Sequence, residues 1–168
     1  MDKQPEQPIR VVFALLDGSL VLDWAGPAEA LRIANQFLRE RGQPDRFIVE
    51  FASPLPTTVS SVGVQLSGLT PLPSQWKGPA WVVLVGQPGR AISVESDAAR
   101  QLIHWLRGLR FETGRLELLT ICAGSLLAAH AGVLTGRRAT THHHHLQELR
   151  ETDKRCDVVA NRVFVLDP

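Results

Sequence analysis

The sequence has only two cysteines, no apolar run long enough to cross a membrane as a helix, and almost no net charge. Each shortage removes a class of function. Cys122 and Cys156 form neither a disulfide framework nor a metal-ligand spacing, and a reducing cytoplasm is the simplest compartment for them. A spanning helix needs about 18 consecutive apolar residues, and none occur, so no membrane partner is expected. A net charge of +1 leaves no basic footprint for nucleic acid or an anionic membrane surface. The opening MDKQPEQPIR lacks the apolar core of a signal peptide, and residues 1–8 read as a short disordered lead.

What is present is an ordinary globular chain of one domain: 168 residues, 44% apolar and 21% charged, enough to bury a core. Its apolar runs are short. RVVFALL (10–16) and AWVVLVG (80–86) have the continuous hydrophobicity of strands buried on both faces, and FIVEFAS (47–53) and RLELLTI (115–121) read as further strands. Between them, DWAGPAEALRIANQFLRERG reads as a helix with Pro27 near its first turn, Gly42 after its end, and a stripe of Ala30, Leu31, Ala34, Phe37 and Leu38. SVESDAARQLIHWLRGLR reads as a second helix, capped by Ser93 or Ser96. TTVSSVGVQLSG suggests a hairpin or edge strands. A small-residue helix is expected from Ala123 to Ala131, stopped by Gly132, and a short polar helix over HHHHLQELRE. CDVVA and RVFVL are expected to pair as strands around Asn161. Alternating strands and helices predict an α/β layer fold with a mainly parallel sheet.

Cys122 sits where such folds keep their chemistry, at a strand's carboxyl end just before a helix. Ala123 and Gly124 supply the small neighbours that a sharp strand-to-helix turn requires, which are the mechanics of a nucleophile elbow without the G-x-S-x-G sequence. A helix N-terminus behind the sulfur would favour a thiolate and offer N–H groups to an oxyanion. Against this stands the plain alternative that a single cysteine is a packing residue.

The segment ICAGSLLAAHAGVLTGRRATTH resembles the elbow region of the ThiJ/PfpI superfamily, with its class I glutamine-amidotransferase-like fold. DGSLVLDWAGPAEALR resembles that superfamily's first strand-to-helix loop. Together the two stretches extend the resemblance over roughly residues 9–167. The GP-x-E loop and the GRRATTH ending are most similar to the N-terminal domain of AraC-family transcriptional regulators. The resemblance implies a flavodoxin-like three-layer sandwich with a mainly parallel sheet and a cysteine nucleophile elbow. It also implies that residues 9–168 stop before a final helix, and that a DNA-binding domain lies outside this chain.

By resemblance, Cys122 is the elbow cysteine, Asp23 the acid that reaches its sulfur from the first loop, and His142 the histidine twenty residues on. The three are catalytic or ligand-sensing: a carboxyl tunes a thiol, and an imidazole serves as its base. Trp24, beside Asp23, is expected near the ligand, with Gly86, Gln87 and the Ala123 N–H. Related enzymes commonly have Gly-Gly where this chain has Gly86-Gln87-Pro88-Gly89, and Pro88 has no N–H to give. Asp23 could equally cap the helix beginning near Ala25, and His142 could merely pack beneath the elbow. The internal run His142–His145 offers i, i+3 imidazoles, but no carboxylate or cysteine ligand lies at the usual spacing. No metal and no cofactor are therefore assigned.

Two functions follow. The first is a sensor domain that binds a small effector, an amine or amino-acid-like metabolite, and biases a homodimer. The second is a cysteine-dependent hydratase or hydrolase similar to isonitrile hydratase. A redox-sensing thiol is a third reading and needs an exposed, low-pKa cysteine.

Overall fold

The computed structural model describes residues 7–89 and 92–167, so most of the expected disordered lead lies outside the described residues. Four strands build the central sheet: β1 (Ile9–Ala14), β2 (Phe47–Ala52), β5 (Ala80–Leu84) and β6 (Leu116–Thr120). Their order is β2-β1-β5-β6, and every pairing is parallel. The hairpin expected over 57–68 is β3 (Thr58–Val59) against β4 (Gln65–Leu66).

The alternation of side chains along β1 separates two cores. Val11, Phe13 and Leu15 point to one face, where Trp24, Ala28 and Leu31 of α1 (Val21–Glu40) cover them. Ala14 and Leu16 point to the other. There they meet Leu102 and Leu106 of α2 (Asp97–Arg107), Leu126 and Leu127 of α3 (Gly124–His130), and Leu149 of α4 (Leu146–Thr152). The result is the expected three-layer α/β sandwich, and the apolar runs are continuous because both faces of the sheet are covered.

Several local readings hold. Ser96 caps α2, its hydroxyl accepting the Ala99 N–H at 3.1 Å. Gly42, past the end of α1, takes φ +66°, the left-handed conformation that favours glycine.

Others are corrected. Helix α1 begins at Val21, so Pro27 lies inside it and Asp23 falls within the first turn instead of before it. The buried stripe of α1 is rotated from expectation. Phe37 faces solvent at 53% exposure and Ala30 is exposed, while Asn35 is buried. Apolar side chains on a polar-rich helix leave the phase ambiguous, and the position of the β1–β2 face fixes it.

The closing strand pair is also different. β8 (Asp157–Val158) pairs in parallel with β7 (Arg138–Ala139), and residues 162–166 form no strand. The backbone around β8 is already engaged, with Asp157 N–H donating to Arg137 and Val159 N–H to Ala139. Asn161, at φ +59°, then turns the chain away. Val163, Phe164 and Leu166 are left exposed.

Candidate functional site

Three neighbouring strands deliver the site. The loop after β1 leads to Asp23, the end of β5 to Gly86, and the end of β6 to Cys122. In open parallel sheets this carboxyl edge is where ligands gather, because side chains and helix starts converge there above the strand ends.

Cys122 adopts φ +53°, a left-handed conformation that is uncommon for any residue except glycine. The turn is fixed from several sides. Ile121 N–H donates to the Leu84 carbonyl at 2.8 Å, Gly124 N–H to the Ile121 carbonyl at 2.9 Å, and the Thr141 hydroxyl to the Cys122 carbonyl at 3.1 Å. Thr141 was not singled out by the sequence reading. Its only signal is its place beside His142.

Gly86 is the junction. Its N–H donates to Asp23 Oδ2 at 2.9 Å, and its carbonyl accepts the Leu20 N–H at 3.0 Å. A methyl group placed on Gly86 would stand 3.1 Å from Asp23 Oδ2, 3.1 Å from the Ala123 nitrogen and 3.2 Å from Cys122 Cβ. Asp23, Ala123 and Cys122 therefore share one methyl-sized gap, which only glycine leaves open. Asp23 does not cap its helix: the N-cap position is Leu20, with no side-chain cap. The carboxylate is spent on holding β5's loop.

Electrostatics run against a ready nucleophile. Burial pushes the Asp23 carboxyl above its usual range, with the Gly86 N–H and the His142 charge pulling it part-way back. Burial also raises the Cys122 thiol; the Ala123 N–H opposes this, and the Asp23 charge adds to it. The helix-terminus thiolate expected from sequence is thus corrected: desolvation and a neighbouring carboxylate outweigh the N–H behind the sulfur. His142 falls below the usual imidazole value, mainly by desolvation and then by the charges of His143, His144 and His145, with Asp23 opposing. Cys156 is buried and pushed up to about 11, which makes it the less reactive thiol.

A pH-dependent outcome follows. With Cys156→Ser as background, alkylation of Cys122 should be slow at neutral pH and should rise with a midpoint above that of an ordinary thiol. Asp23→Asn should move that midpoint down, because it removes the negative charge that disfavours the thiolate. Iodoacetamide rates across pH measure both. A midpoint below the ordinary thiol value would contradict this account.

The remaining expected residues are distributed. The Gln87 amide donates to the Asp17 carbonyl at 2.6 Å and so ties the β5 loop to the β1 loop, while its Oε1 is buried with no partner among the described residues. Gly86 N–H is occupied by Asp23, Ala123 N–H faces the Cys122 sulfur, and Pro88 has none. The Gly86 amide is thereby withdrawn from an oxyanion-hole role, and Pro88 has no N–H to offer one. Trp24 is not brought to the elbow. It packs edge-on against Phe51, with 5.6 Å between ring centroids, in the core on the α1 face, whereas Cys122 packs with the core on the opposite face. Its indole nitrogen is buried and has no hydrogen-bond partner among the described residues.

A cleft of about 940 Å³ runs along β6. Cys122, Thr120, Thr140, Thr141 and His142 line it, as do Val163–Asp167. Asp23, Trp24, Gly86, Gln87 and Ala123 do not line it. The elbow thus opens toward β6 and the Thr140–His142 segment, and less toward the first loop than the sequence reading expects.

Comparison with known proteins agrees with this fold. The chain is 33% identical over 152 residues to an uncharacterised protein in the cpoL 5' region of Streptomyces lividans, covering 89% of this chain and 96% of that one. It is 31% identical over 156 residues to the HTH-type transcriptional regulator CdhR of Pseudomonas aeruginosa. That match covers 92% of this chain and 43% of CdhR. Among solved structures, an AraC family transcriptional regulator from Pseudomonas putida superposes with TM-score 0.72 at 20% identity, over 95% of this chain and 80% of that one. The thiJ/pfpI family protein from Bacillus anthracis superposes with TM-score 0.70 at 12% identity, over 98% and 74%. The chain therefore has the fold of these AraC family regulator and ThiJ/PfpI family structures. No family model matches the sequence. Among the described residues, no helix is long and apolar enough to cross a membrane.

Proposed function

We propose that this ThiJ/PfpI domain is the N-terminal, ligand-sensing part of an AraC-type transcriptional regulator. In this reading it binds a small amine or amino-acid-like effector beside the elbow cysteine. It works in the cytoplasm as a homodimer and reaches DNA through a separate domain. The observation that carries the reading is that the Gly86 N–H at the elbow is already taken by Asp23, at 2.9 Å, while burial shifts the Cys122 thiol toward its protonated form. Such a site retains polar groups for recognition but gives little help to a developing oxyanion. The 31% identity with CdhR across nearly the whole chain supports the same reading.

The rival reading, a cysteine-dependent hydratase or hydrolase, draws on one feature, the left-handed backbone of Cys122 that presents its sulfur as a nucleophile elbow does.

Thermal-shift measurements with a panel of amino acids and quaternary amines separate the two. A binder at about one hundred times its Kd adds about 2.7 kcal/mol to stability and raises Tm. Isonitrile turnover should not exceed that of a Cys122→Ser control. Turnover that disappears in Cys122→Ser, with no binder raising Tm, would replace the sensor with an enzyme.

A further inference from the structure

The histidine run does not form the i, i+3 helical pairing that its spacing suggests. His143–His145 form a single 3₁₀ turn capped by His142, with the His145 N–H donating to the His142 carbonyl at 2.8 Å. The turn divides the four rings. His145 is buried, its Nδ1 2.7 Å from Glu148 Oε2, and it anchors the turn to α4. The other three gather on the outer side. Ring centroids lie 4.3 Å apart for His142–His143, 5.0 Å for His142–His144 and 4.0 Å for His143–His144. One ring nitrogen from each falls within 4.8 Å of the others. Among the described residues, no protein group hydrogen-bonds the ring nitrogens of His143 or His144. His142 Nδ1 accepts only a long hydrogen bond, 3.3 Å, from the His144 N–H.

We infer that His142, His143 and His144 form a binding site for a late first-row divalent metal ion, Zn²⁺ in the first instance, at the rim of the Cys122 cleft. The donor set is imidazole alone, which suits Zn²⁺, Ni²⁺ and Cu²⁺ over Mg²⁺ or Ca²⁺. Imidazoles bind a metal in the neutral form, which predominates for ordinary histidines at neutral pH. Tetrahedral zinc with Zn–N of about 2.1 Å holds its nitrogens roughly 3.4 Å apart. The rings must therefore close somewhat from their present span. His143 and His144 are exposed and can turn about their side-chain torsions at little packing cost. Coordination through His142 costs only the long contact with the His144 N–H. Three protein ligands leave one position open, as in exchangeable or substrate-accessible zinc sites and unlike closed structural ones. His142 also lines the cleft with Cys122, so an ion held there would face whatever the cleft binds. The inference does not depend on the sensor reading.

Zn²⁺ titration by calorimetry on the full chain tests it. The expected result is one ion per chain with micromolar affinity and a rise in Tm on zinc addition, since preferential binding to the folded state is what a built site produces. The double variant His143→Ala/His144→Ala should weaken binding at least about tenfold. Its metal-free Tm should be unchanged, because both side chains are exposed. His104→Ala, on α2, should leave binding intact, as should Cys122→Ser. In Co²⁺-substituted protein, visible absorption of tetrahedral intensity should appear and should vanish in the double variant. Three results would each overturn the inference: no binding, binding as tight to the urea-unfolded chain as to the folded one, or binding lost in Cys122→Ser but kept in the double histidine variant.

Discussion

Gly124→Ala is expected to destabilise the fold by about 3 kcal/mol, at the upper end of overpacking costs. Gly124 opens α3 directly after the elbow, and a methyl group there would lie 2.5 Å from the Leu84 carbonyl oxygen, 2.6 Å from its carbon and 2.9 Å from the Val85 nitrogen. These are backbone atoms of β5 and its extension in the centre of the sheet, so no rotamer change relieves the clash. Either α3 lifts from the sheet or the strand shifts, and each disturbs the hydrophobic core around Leu126 and Leu127. Gly26→Ala provides the control. Gly26 is exposed inside α1 with nothing within 4 Å of the added methyl, so alanine there should raise stability by about 0.5–1 kcal/mol through helix propensity alone. Urea denaturation of the two variants measures both effects. Equal midpoints would mean that the close approach of helix to strand at the elbow is not as described.

The second large effect is expected at Asn35, where Asn35→Ala should cost about 2–3 kcal/mol. Asn35 is a buried polar residue on the sheet-facing side of α1. Its amide donates to the Phe47 carbonyl at 2.7 Å, and its Oδ1 accepts the N–H groups of Arg46, at 2.9 Å, and Phe47, at 3.0 Å. One side chain thus closes three backbone groups at the start of β2, an edge strand with a partner on one side only. Alanine leaves two donors and one acceptor with poor access to water, and an unmade buried hydrogen bond costs about 1–3 kcal/mol. Asn35→Leu, which restores apolar volume but no hydrogen bonds, should recover little of the loss. If leucine restored full stability in urea melts, packing and not polar satisfaction would be the role of this position.

Asn35 also marks the limit of what the sequence reveals. The helix itself was legible from its length, its glycine stop and its apolar spacing. The phase of its buried face was not, because the stripe read from apolar residues includes Phe37, which points to solvent, and omits the buried asparagine. A polar residue in a core is readable only once its partners are known, and those partners lie on a different strand. The final segment failed for a related reason. RVFVL has strand composition, but composition cannot tell whether a partner edge is available, and β8 had already joined β7. Asp23 could be read from sequence as a cap or as a site residue, and the choice belonged to a Gly86 N–H that is sixty-three positions away.

The sequence alone determined the layer architecture, the four parallel strands, the hairpin, the Ser96 cap and the position of Cys122 at a strand's end. These follow from periodicity, breakers and small-residue turns, which are local properties of the chain. Tertiary structure alone decided which donors remain free at the elbow, that the thiol is held toward its protonated form, that Trp24 serves the opposite core, and that three imidazoles converge on one turn. Those outcomes depend on desolvation and on distances between residues far apart in sequence, and neither exists until the sheet has brought the ends of β1, β5 and β6 together.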